Sequence, residues 1–390
     1  MHERAFPIGA AASLEELELD PHPLLRRLRE REPVSWLPAL GAWLVTRRDL
    51  ALRAMRDSES FTVDDPRFST GRVVGPSMLT LDGAEHGRHR DPFAPPFRLD
   101  AVRERFTAVV ETATERLLDR LEPNGRAELR RELAGPLAAG VVARALGLRD
   151  ADTDAVLGWY DAIVDSVTGV AAGRPITPAG TRAFAALRSS IEPALDCDPD
   201  SSLVAAAASQ AAGLSRAEVV SNVAVLMFGG IETTEGMIAN AVLHLLGHPD
   251  QLALVERDPS LIGGAIEESL RLEPAAAVID RYATHDVRLG DAPIGRGDLV
   301  TISIAGANRD PAEFPEPDRF DVRRENARHQ IAFAHGPHVC TGMHLARLEA
   351  RTAVGRLLAR VPRLRLDPDR PSAARGLVFR KPPELHVLWG

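Results

Sequence analysis

The sequence predicts a mainly α-helical protein with a minor β component, and three observations lead to this fold class. Helical periodicity dominates from about residue 98 to residue 212, most clearly at 102–121 and 129–146. A further apolar segment continues for roughly 30 residues after Ser215, or about 45 Å at 1.5 Å per residue. Strand-like runs are concentrated in three β-rich ranges, approximately 32–60, 275–305 and 375–390.

Shorter elements follow from local signals, with proline and glycine marking the breaks between them. Loops are predicted at 172–178 and 196–202, and an extended polar stretch at 308–330. The remaining predicted elements are a helix at 14–31, strands at 34–37 and 42–46, a helix at 343–360 and a terminal strand at 385–389.

The long segment after Ser215 has a clear helix start. Ser215 and Glu218 form an S-x-x-E capping box, in which each side chain bonds the other residue's backbone amide. The interior of the segment contains Gly229-Gly230, although each glycine costs a helix about 1 kcal/mol relative to alanine. A helix accepts that cost for close packing, a kink or a ligand.

Composition excludes several classes of protein. The length of 390 residues is compatible with one large domain or with two, and the net charge of −8 argues against nucleic-acid binding. Two cysteines, Cys197 and Cys340, are too few for a disulfide framework and indicate a reducing, cytoplasmic environment. The acidic first twenty residues argue against a secretory signal, and no run of about 18 apolar residues predicts a membrane span.

Cys340 lies in a glycine-containing segment, Phe333-Ala334-His335-Gly336-Pro337-His338-Val339-Cys340-Thr341-Gly342. The glycines on both sides of Cys340 allow the backbone to approach a flat ligand closely. A helix is predicted just after Cys340, and its free amides and dipole favour a thiolate. Thiolate ligation of haem iron increases electron density at bound dioxygen and favours O–O cleavage. The segment therefore meets the requirements of an oxygen-activating haem.

Two other interpretations of Cys340 are open on composition. A single cysteine is most often a buried, inert side chain. A zinc site is also conceivable, because His335, His338 and His344 lie close in sequence. The flanking glycines and the absence of a second nearby cysteine disfavour zinc.

The segment resembles the cysteine loop of the cytochromes P450, whose pattern is F-G-x-G-x-H-x-C-x-G. The resemblance extends over nearly the whole chain and implies a cytochrome P450 fold, with one domain (1–390) and a long distal helix. Cys340 would then be the axial ligand of the iron of haem b. The matching positions are Phe333, Gly336, His338, Cys340 and Gly342, of which the phenylalanine and the glycines would be structural.

The chain departs from this pattern at Ala334, where the family usually has glycine. A methyl group is tolerable there if the backbone torsion lies in an ordinary region.

The run Glu268-Ser269-Leu270-Arg271 resembles the E-x-x-R motif of the same family. Residues three apart meet on one helix face, although such a pair is worth little when it is exposed. In the family the pair is buried and is joined by an arginine from a P-x-R-F-like turn. The turn at 317–320 fits, so the resemblance assigns Glu268, Arg271 and Arg319 a structural role behind the haem.

Two further matches concern catalysis and cofactor binding. The run from Gly229 to Thr234 resembles [AG]-G-x-[DE]-T-[TS], which implies that Glu232 and Thr233 relay protons for dioxygen activation. Thr233 is expected to hydrogen-bond a carbonyl one turn earlier. The haem propionates require cations or donors, and the resemblance supplies four contacts: His86, Arg90, Arg281 and His338.

The resemblance implies a bacterial, class I type monooxygenase that inserts one oxygen atom from O₂ into a small organic substrate, by hydroxylation or epoxidation. The chain lacks a nucleotide-binding fingerprint, so electrons are expected from a ferredoxin and its NAD(P)H-dependent reductase, without nucleic-acid or membrane partners. The substrate is expected to be largely apolar, such as a secondary metabolite. The residues expected to form its pocket are Leu79, Val225, Gly229, Gly230, Ala277, Val278 and Val378.

Two alternatives share the haem-thiolate centre. One is a peroxide-driven or isomerising enzyme, and the other is a non-catalytic sensor of a small molecule or gas. Glu232 and Thr233 argue against both, because neither activity requires a proton relay to bound dioxygen.

Overall fold

The computed structural model describes residues 2–148, 152–171, 174–196, 202–210 and 213–390. The loops expected at 172–178 and 196–202 lie partly outside these ranges, as does Cys197. The helices within the described ranges are α1 His2–Ala5, α2 Pro7–Ala10, α3 Leu14–Leu19, α4 His22–Arg31, α5 Arg48–Arg56, α6 Ser69–Val74, α7 Gly83–Arg90, α8 Leu99–Leu121, α9 Gly135–Leu146, α10 Thr153–Ala171, α11 Pro178–Leu195, α12 Leu203–Gln210, α13 Arg216–Gly247, α14 Pro249–Arg257, α15 Ile262–Leu272, α16 Ile304–Ala307 and α17 Met343–Arg360.

Short strands form three small sheets. The largest sheet has five strands in the order β1-β2-β8-β5-β3, in which only the β2–β8 pair is parallel. A second sheet has the order β4-β10-β9, and β6 pairs with β7. The bounds are β1 Val34–Leu37, β2 Ala42–Val45, β3 Phe61–Thr62, β4 Arg126–Glu128, β5 Val278–Ala283, β6 Val287–Leu289, β7 Ala292–Ile294, β8 Leu299–Ser303, β9 Arg365–Leu366 and β10 His386–Leu388.

Most strands fall in or beside the predicted β-rich ranges, and two lie elsewhere. β4 and β9 are only three and two residues long, and both pair with β10 near the C-terminus. Such short strands carry no detectable period of two, so only tertiary pairing reveals them.

The long helix α13 is the central element of the fold. It begins after the predicted capping box, in which Ser215 Oγ accepts from the Glu218 amide and Glu218 Oε2 accepts from the Ser215 amide. Its 32 residues are buried along much of their length, because α9, α15 and α17 pack against it. The prediction of a long helix crossing the molecule is confirmed.

Two predicted helices are divided by proline. The segment expected as one helix at 14–31 forms α3 and α4, which are separated at Asp20 and Pro21. The segment expected at 129–146 begins as a π-helical turn, Arg130–Ala134, and continues as α9. Pro136 lies at the start of α9, where it cannot donate the amide hydrogen that a continuous α-helix requires.

Behind the central helix, Glu268 and Arg271 form a fully buried ion pair. Arg271 Nε and Nη2 each donate to the Glu268 carboxylate at 2.8 Å. Arg271 also donates to the carbonyl oxygens of Asn308, Pro317 and Arg319. The pair therefore connects α15 to the irregular chain between residues 308 and 320.

The third member of this cluster differs from the prediction. Arg324 Nε donates to Glu268 Oε1 at 2.9 Å, and its side chain is 9% exposed. Arg319 instead points outward, is 55% exposed and pairs with Glu316. Its contribution is its backbone carbonyl, which accepts from both Arg271 and Arg324. The turn at 317–320 fitted the family pattern, but the path of the chain brings the side chain of a later arginine to Glu268.

We predict that Arg324→Ala lowers the free energy of unfolding by about 3 kcal/mol, because it leaves a buried carboxylate with one cation instead of two. Arg319→Ala is the matched control, and it should change that free energy by less than about 0.5 kcal/mol. Urea unfolding of the haem-loaded proteins, followed by circular dichroism, measures both. Equal losses in the two variants would contradict the assignment of Arg324.

Candidate active site

A cavity of about 290 Å³ lies between α13 and the loop that carries Cys340. Helices α9 and α17 and the segment before β5 complete its walls. The cavity brings together ten of the residues predicted for the site: Leu79, Arg90, Val225, Gly229, Gly230, Thr233, Phe333, His338, Cys340 and Gly342.

Cys340 is placed by the backbone of its own loop. Its amide donates to the Phe333 carbonyl at 2.8 Å, and its accessible surface borders the cavity. Burial raises the pKa of the Cys340 thiol, while the Gly342 amide and the guanidinium groups of Arg90 and Arg347 act in the opposite direction. A metal ion at the sulfur would displace the proton outright.

The loop requires glycine at residue 336. Gly336 has φ +76°, and a Cβ added there would lie 2.6 Å from the Met55 carbonyl oxygen. Ala334 also has a left-handed backbone, with φ +59°. The backbone torsion of Ala334 therefore lies outside the ordinary region in which a methyl group is easily tolerated. This conformation costs an L-residue roughly 1–2 kcal/mol.

On the opposite wall, α13 presents its glycine pair and Thr233. A Cβ at Gly229 would meet nothing within 4 Å, whereas one at Gly230 would lie 2.6 Å from Val142 of α9. Gly229 therefore leaves open space, and Gly230 allows two helices to approach closely. Thr233 Oγ1 donates to the Gly229 carbonyl at 2.6 Å, as its sequence position predicted.

Glu232 lies beside Thr233 in sequence but does not line the cavity. Its Oε1 is 2.9 Å from Lys381 Nζ, and its Oε2 accepts from the Tyr160 hydroxyl. The two proposed relay residues therefore have separate hydrogen-bond partners in this structure.

Of the four residues predicted for the propionates, Arg90 and His338 line the cavity, and His86 lies against His338. The rings of His86 and His338 lie 4.3 Å apart, and Arg90 Nη2 donates to the carbonyl oxygen of Val339. Arg281 is buried and donates to its neighbour's carbonyl. Burial, together with the charges of His338 and Arg90, lowers the pKa of His86 to about 4. These influences favour the neutral form of the His86 imidazole in the protein without a bound anion.

Asp82 belongs to this group and was missed in the sequence. Its Oδ1 accepts from His338 Nε2 at 2.8 Å, and its Oδ2 accepts from Thr62 Oγ1 and the Val63 amide. Burial acts to raise the pKa of Asp82, but these hydrogen bonds outweigh it and lower the pKa overall. The sequence could not reveal this role, because a carboxylate four residues before a histidine is not a recognised motif. The contacts of Asp82 depend on β3 and the cysteine loop, which tertiary folding brings to it.

The donor set fits haem better than zinc. The buried His86 Nε2 has no hydrogen-bond partner in the described chain, as expected for an atom that faces a propionate. Within the same ranges, no three His, Cys, Asp or Glu side chains are grouped to hold a metal ion. Glu349 also borders the cavity, and burial raises its pKa well above the usual value, which favours its neutral form.

Three residues expected in the substrate pocket lie outside the cavity wall. Ala277 packs in the cluster formed with α3 and α4, and its amide donates to the Val378 carbonyl. Val278 begins β5 opposite Ser303, and residue Val378 is 46% exposed. Their neighbours Ala275, Ala276 and Ile279 face the cavity instead. Backbone pairing decides which side chains turn inward, and the sequence did not reveal that pairing.

Comparisons with known proteins agree with this geometry. A family model described as Cytochrome P450 matches residues 260–386. The chain is 37% identical over 373 residues to Cytochrome P450 107B1 of Saccharopolyspora erythraea, with 89% of each chain covered. The chain belongs to the cytochrome P450 family. This membership confirms haem b as the cofactor, O₂ as the co-substrate and an oxidoreductase of the monooxygenase class.

Two further similarities concern a monooxygenase relative and a solved structure. The chain is 34% identical to the 20-oxo-5-O-mycaminosyltylactone 23-monooxygenase of Streptomyces fradiae, over 88% of this chain and 83% of that one. The solved structure of CalO2 has a TM-score of 0.87 and 30% identity, and covers 97% of this chain and 99% of its own. The mainly α fold class with small sheets is thereby confirmed. None of the described helices is both long and apolar enough to cross a membrane.

We predict that Ala334→Gly stabilises this P450 by about 0.5–1 kcal/mol, because glycine adopts φ +59° without the Cβ penalty. Ala332→Gly is the control, since residue 332 lacks a left-handed backbone and should lose stability by about 1 kcal/mol. Thermal unfolding of the haem-loaded variants measures both. A loss of stability in Ala334→Gly would show that the methyl contact outweighs the torsional cost.

Proposed function

We propose that this P450 inserts one oxygen atom of O₂ into a small, largely apolar organic substrate, by hydroxylation or epoxidation. The observation that carries the proposal is that Cys340 and Thr233 face the same apolar cavity from opposite walls. When bound, haem supplies the oxygen-activating chemistry, and the thiolate of Cys340 increases electron density at its iron.

The remaining site residues bind the cofactor or handle protons. Arg90 and His338 at the cavity wall, with His86 and Arg281 behind them, would neutralise or hydrogen-bond the propionates. Thr233 holds a hydroxyl hydrogen at the cavity wall, and Glu232 supplies the carboxyl group that replenishes protons there. Gly229 leaves the space in which dioxygen can be bound against α13.

The cavity wall supports an apolar substrate. Its distal part consists of aliphatic and aromatic side chains, among them Leu79, Val142, Val225 and Phe228, with small residues at 275 and 276. Threonine hydroxyl groups supply the polarity of α13 in this region. An apolar cavity with a few polar groups favours a bulky hydrophobic ligand. The S. fradiae relative acts on a mycaminosyltylactone, which supports a secondary metabolite as the substrate here.

Electrons would come from a separate ferredoxin and an NAD(P)H-dependent reductase in the cytoplasm, since the chain has no nucleotide-binding fingerprint of its own. Of the arginines that could bind an acidic ferredoxin, Arg98 and Arg103 are exposed near helix α17. Arg351 is 41% exposed and forms only a longer ion pair, 3.7 Å from Glu267. Arg88 and Arg347 are poorer candidates, because they pair with Glu218 and Glu267.

The carbon monoxide complex of the reduced protein tests the ligand. We predict an absorption band at the position typical of thiolate-ligated haem, and its loss in Cys340→His, because imidazole donates less electron density. Thr341→Ser, one residue away, should keep the band. A wild-type band at the histidine-haem position would remove Cys340 as the ligand.

Thr233→Ala should raise the hydrogen peroxide released per O₂ consumed by about threefold or more, because proton delivery in the cavity is impaired. Thr234→Ser is the control, since it changes the neighbouring cavity residue and keeps the Thr233 hydroxyl. A surrogate ferredoxin, its reductase and NADPH drive the assay. Unchanged peroxide release would favour the peroxide-driven or non-catalytic alternatives over a relay through Thr233.

A further inference from the structure

Lys381 is the only lysine in the sequence, and all other residues counted as lysine or arginine are arginine. It is buried, with 9% of its side chain exposed, and it lies near the C-terminus beside α13. A buried ammonium is costly unless carboxylates compensate its charge. The carboxylates that compensate the charge of Lys381 therefore indicate its role beside α13.

Lys381 Nζ lies between two carboxylates of α13. It is 2.9 Å from Glu232 Oε1 and 3.0 Å from Glu235 Oε2. Its aliphatic stem passes over Gly236, where an added Cβ would lie 3.5 Å from the lysine Cβ and Cδ. Glu235 has a second cation in Arg130, whereas Lys381 is the cation that the structure shows at Glu232.

The backbone that carries Lys381 is held in place by independent contacts. Lys381 and Arg375 form an antiparallel bridge, with N···O distances of 3.0 and 3.2 Å. The Arg380 amide donates to the Ala275 carbonyl, and the Arg380 side chain pairs with buried Glu273. The ammonium group is therefore presented to α13 from a fixed support.

The second oxygen of Glu232 is occupied as well. The Tyr160 hydroxyl of α10 donates to Oε2, and burial beside the Glu232 carboxylate raises the pKa of Tyr160, so that the phenol keeps its proton. Meanwhile the Thr233 hydroxyl donates to Gly229. With both of its oxygens engaged, Glu232 must leave Lys381 or Tyr160 before it can face Thr233.

We propose that Lys381 is a positioning residue that holds Glu232 behind the cavity wall and determines when this acid reaches Thr233. The inference rests on the proposed proton relay and adds a residue that acts through Glu232. Lys381 itself contacts neither the cavity nor Thr233, so its influence must pass through that carboxylate.

The contact can be tested without turnover, because ¹⁵N-lysine labels a single side chain. In the diamagnetic reduced, CO-bound holoenzyme, Lys381 should give one Hε–Nζ correlation. Glu232→Gln should shift this resonance, since it removes the charge 2.9 Å from Nζ. A resonance that is unchanged by Glu232→Gln would overturn the inference.

The functional link is tested by a double-mutant cycle on peroxide released per O₂ consumed, with the same surrogate ferredoxin system. Lys381→Met frees Glu232 to reach Thr233, so it should lower this ratio by about threefold in the wild-type background and change it by less than about 1.3-fold in the Glu232→Gln background. Equal effects in both backgrounds would show that Lys381 does not act through Glu232. Haem content and the CO band establish that each variant is folded.

Two controls separate charge from position. Lys381→Arg keeps a cation near Glu232 and should leave the ratio within about 1.5-fold of the wild type. Glu235→Gln removes the other carboxylate that pairs with Lys381 and should also leave the peroxide ratio within about 1.5-fold of the wild type. If Glu232→Gln alone changes nothing, the proposed relay fails together with this inference. If Glu232→Gln acts but Lys381→Met does not, only this inference fails.

Discussion

The buried ion pair of Glu268 and Arg271 holds the irregular chain that leads to the cysteine loop. Residues 308–331 form turns and one short 3₁₀ helix, Ala327–His329, so many of their carbonyl groups need donors from elsewhere. Arg271 supplies donors to three of these carbonyls, and Arg324 supplies others from within the segment. The Asn308 side chain then accepts from the Ile331 amide, two residues before Phe333. The cluster therefore helps to fix the path of the chain towards Cys340.

The distal wall depends on different physics. Helix α13 is a long, buried and capped element, so its residues are placed by periodicity and packing. Its glycine pair has two uses, since Gly230 admits α9 and Gly229 leaves space in the cavity. The cysteine loop and α13 therefore face one another across an apolar space, and Gly229 leaves part of that space open.

Several polar groups in and beside this space have partners in the surrounding protein. Asp82 binds His338, Lys381 and Tyr160 bind Glu232, and Gly229 accepts from Thr233. This arrangement keeps the cavity wall mostly apolar while ionisable groups remain close behind it. Proton transfer and cofactor binding can then use the same groups that the fold stabilises.

The sequence by itself determined the features that depend on local patterns. The capping box, the length of α13, the helix after Cys340 and the residues of the cysteine loop all follow from neighbours within a few positions, because caps, turns and helical periods are local.

Tertiary structure decided the features that join distant segments. It selected Arg324 rather than Arg319 for Glu268, and it brought Asp82 to His338 and Lys381 to Glu232. It also turned Ala275 and Ile279, instead of Val278, towards the cavity. These choices depend on how the chain returns on itself, and charged side chains carry no local signal of the partner they will meet.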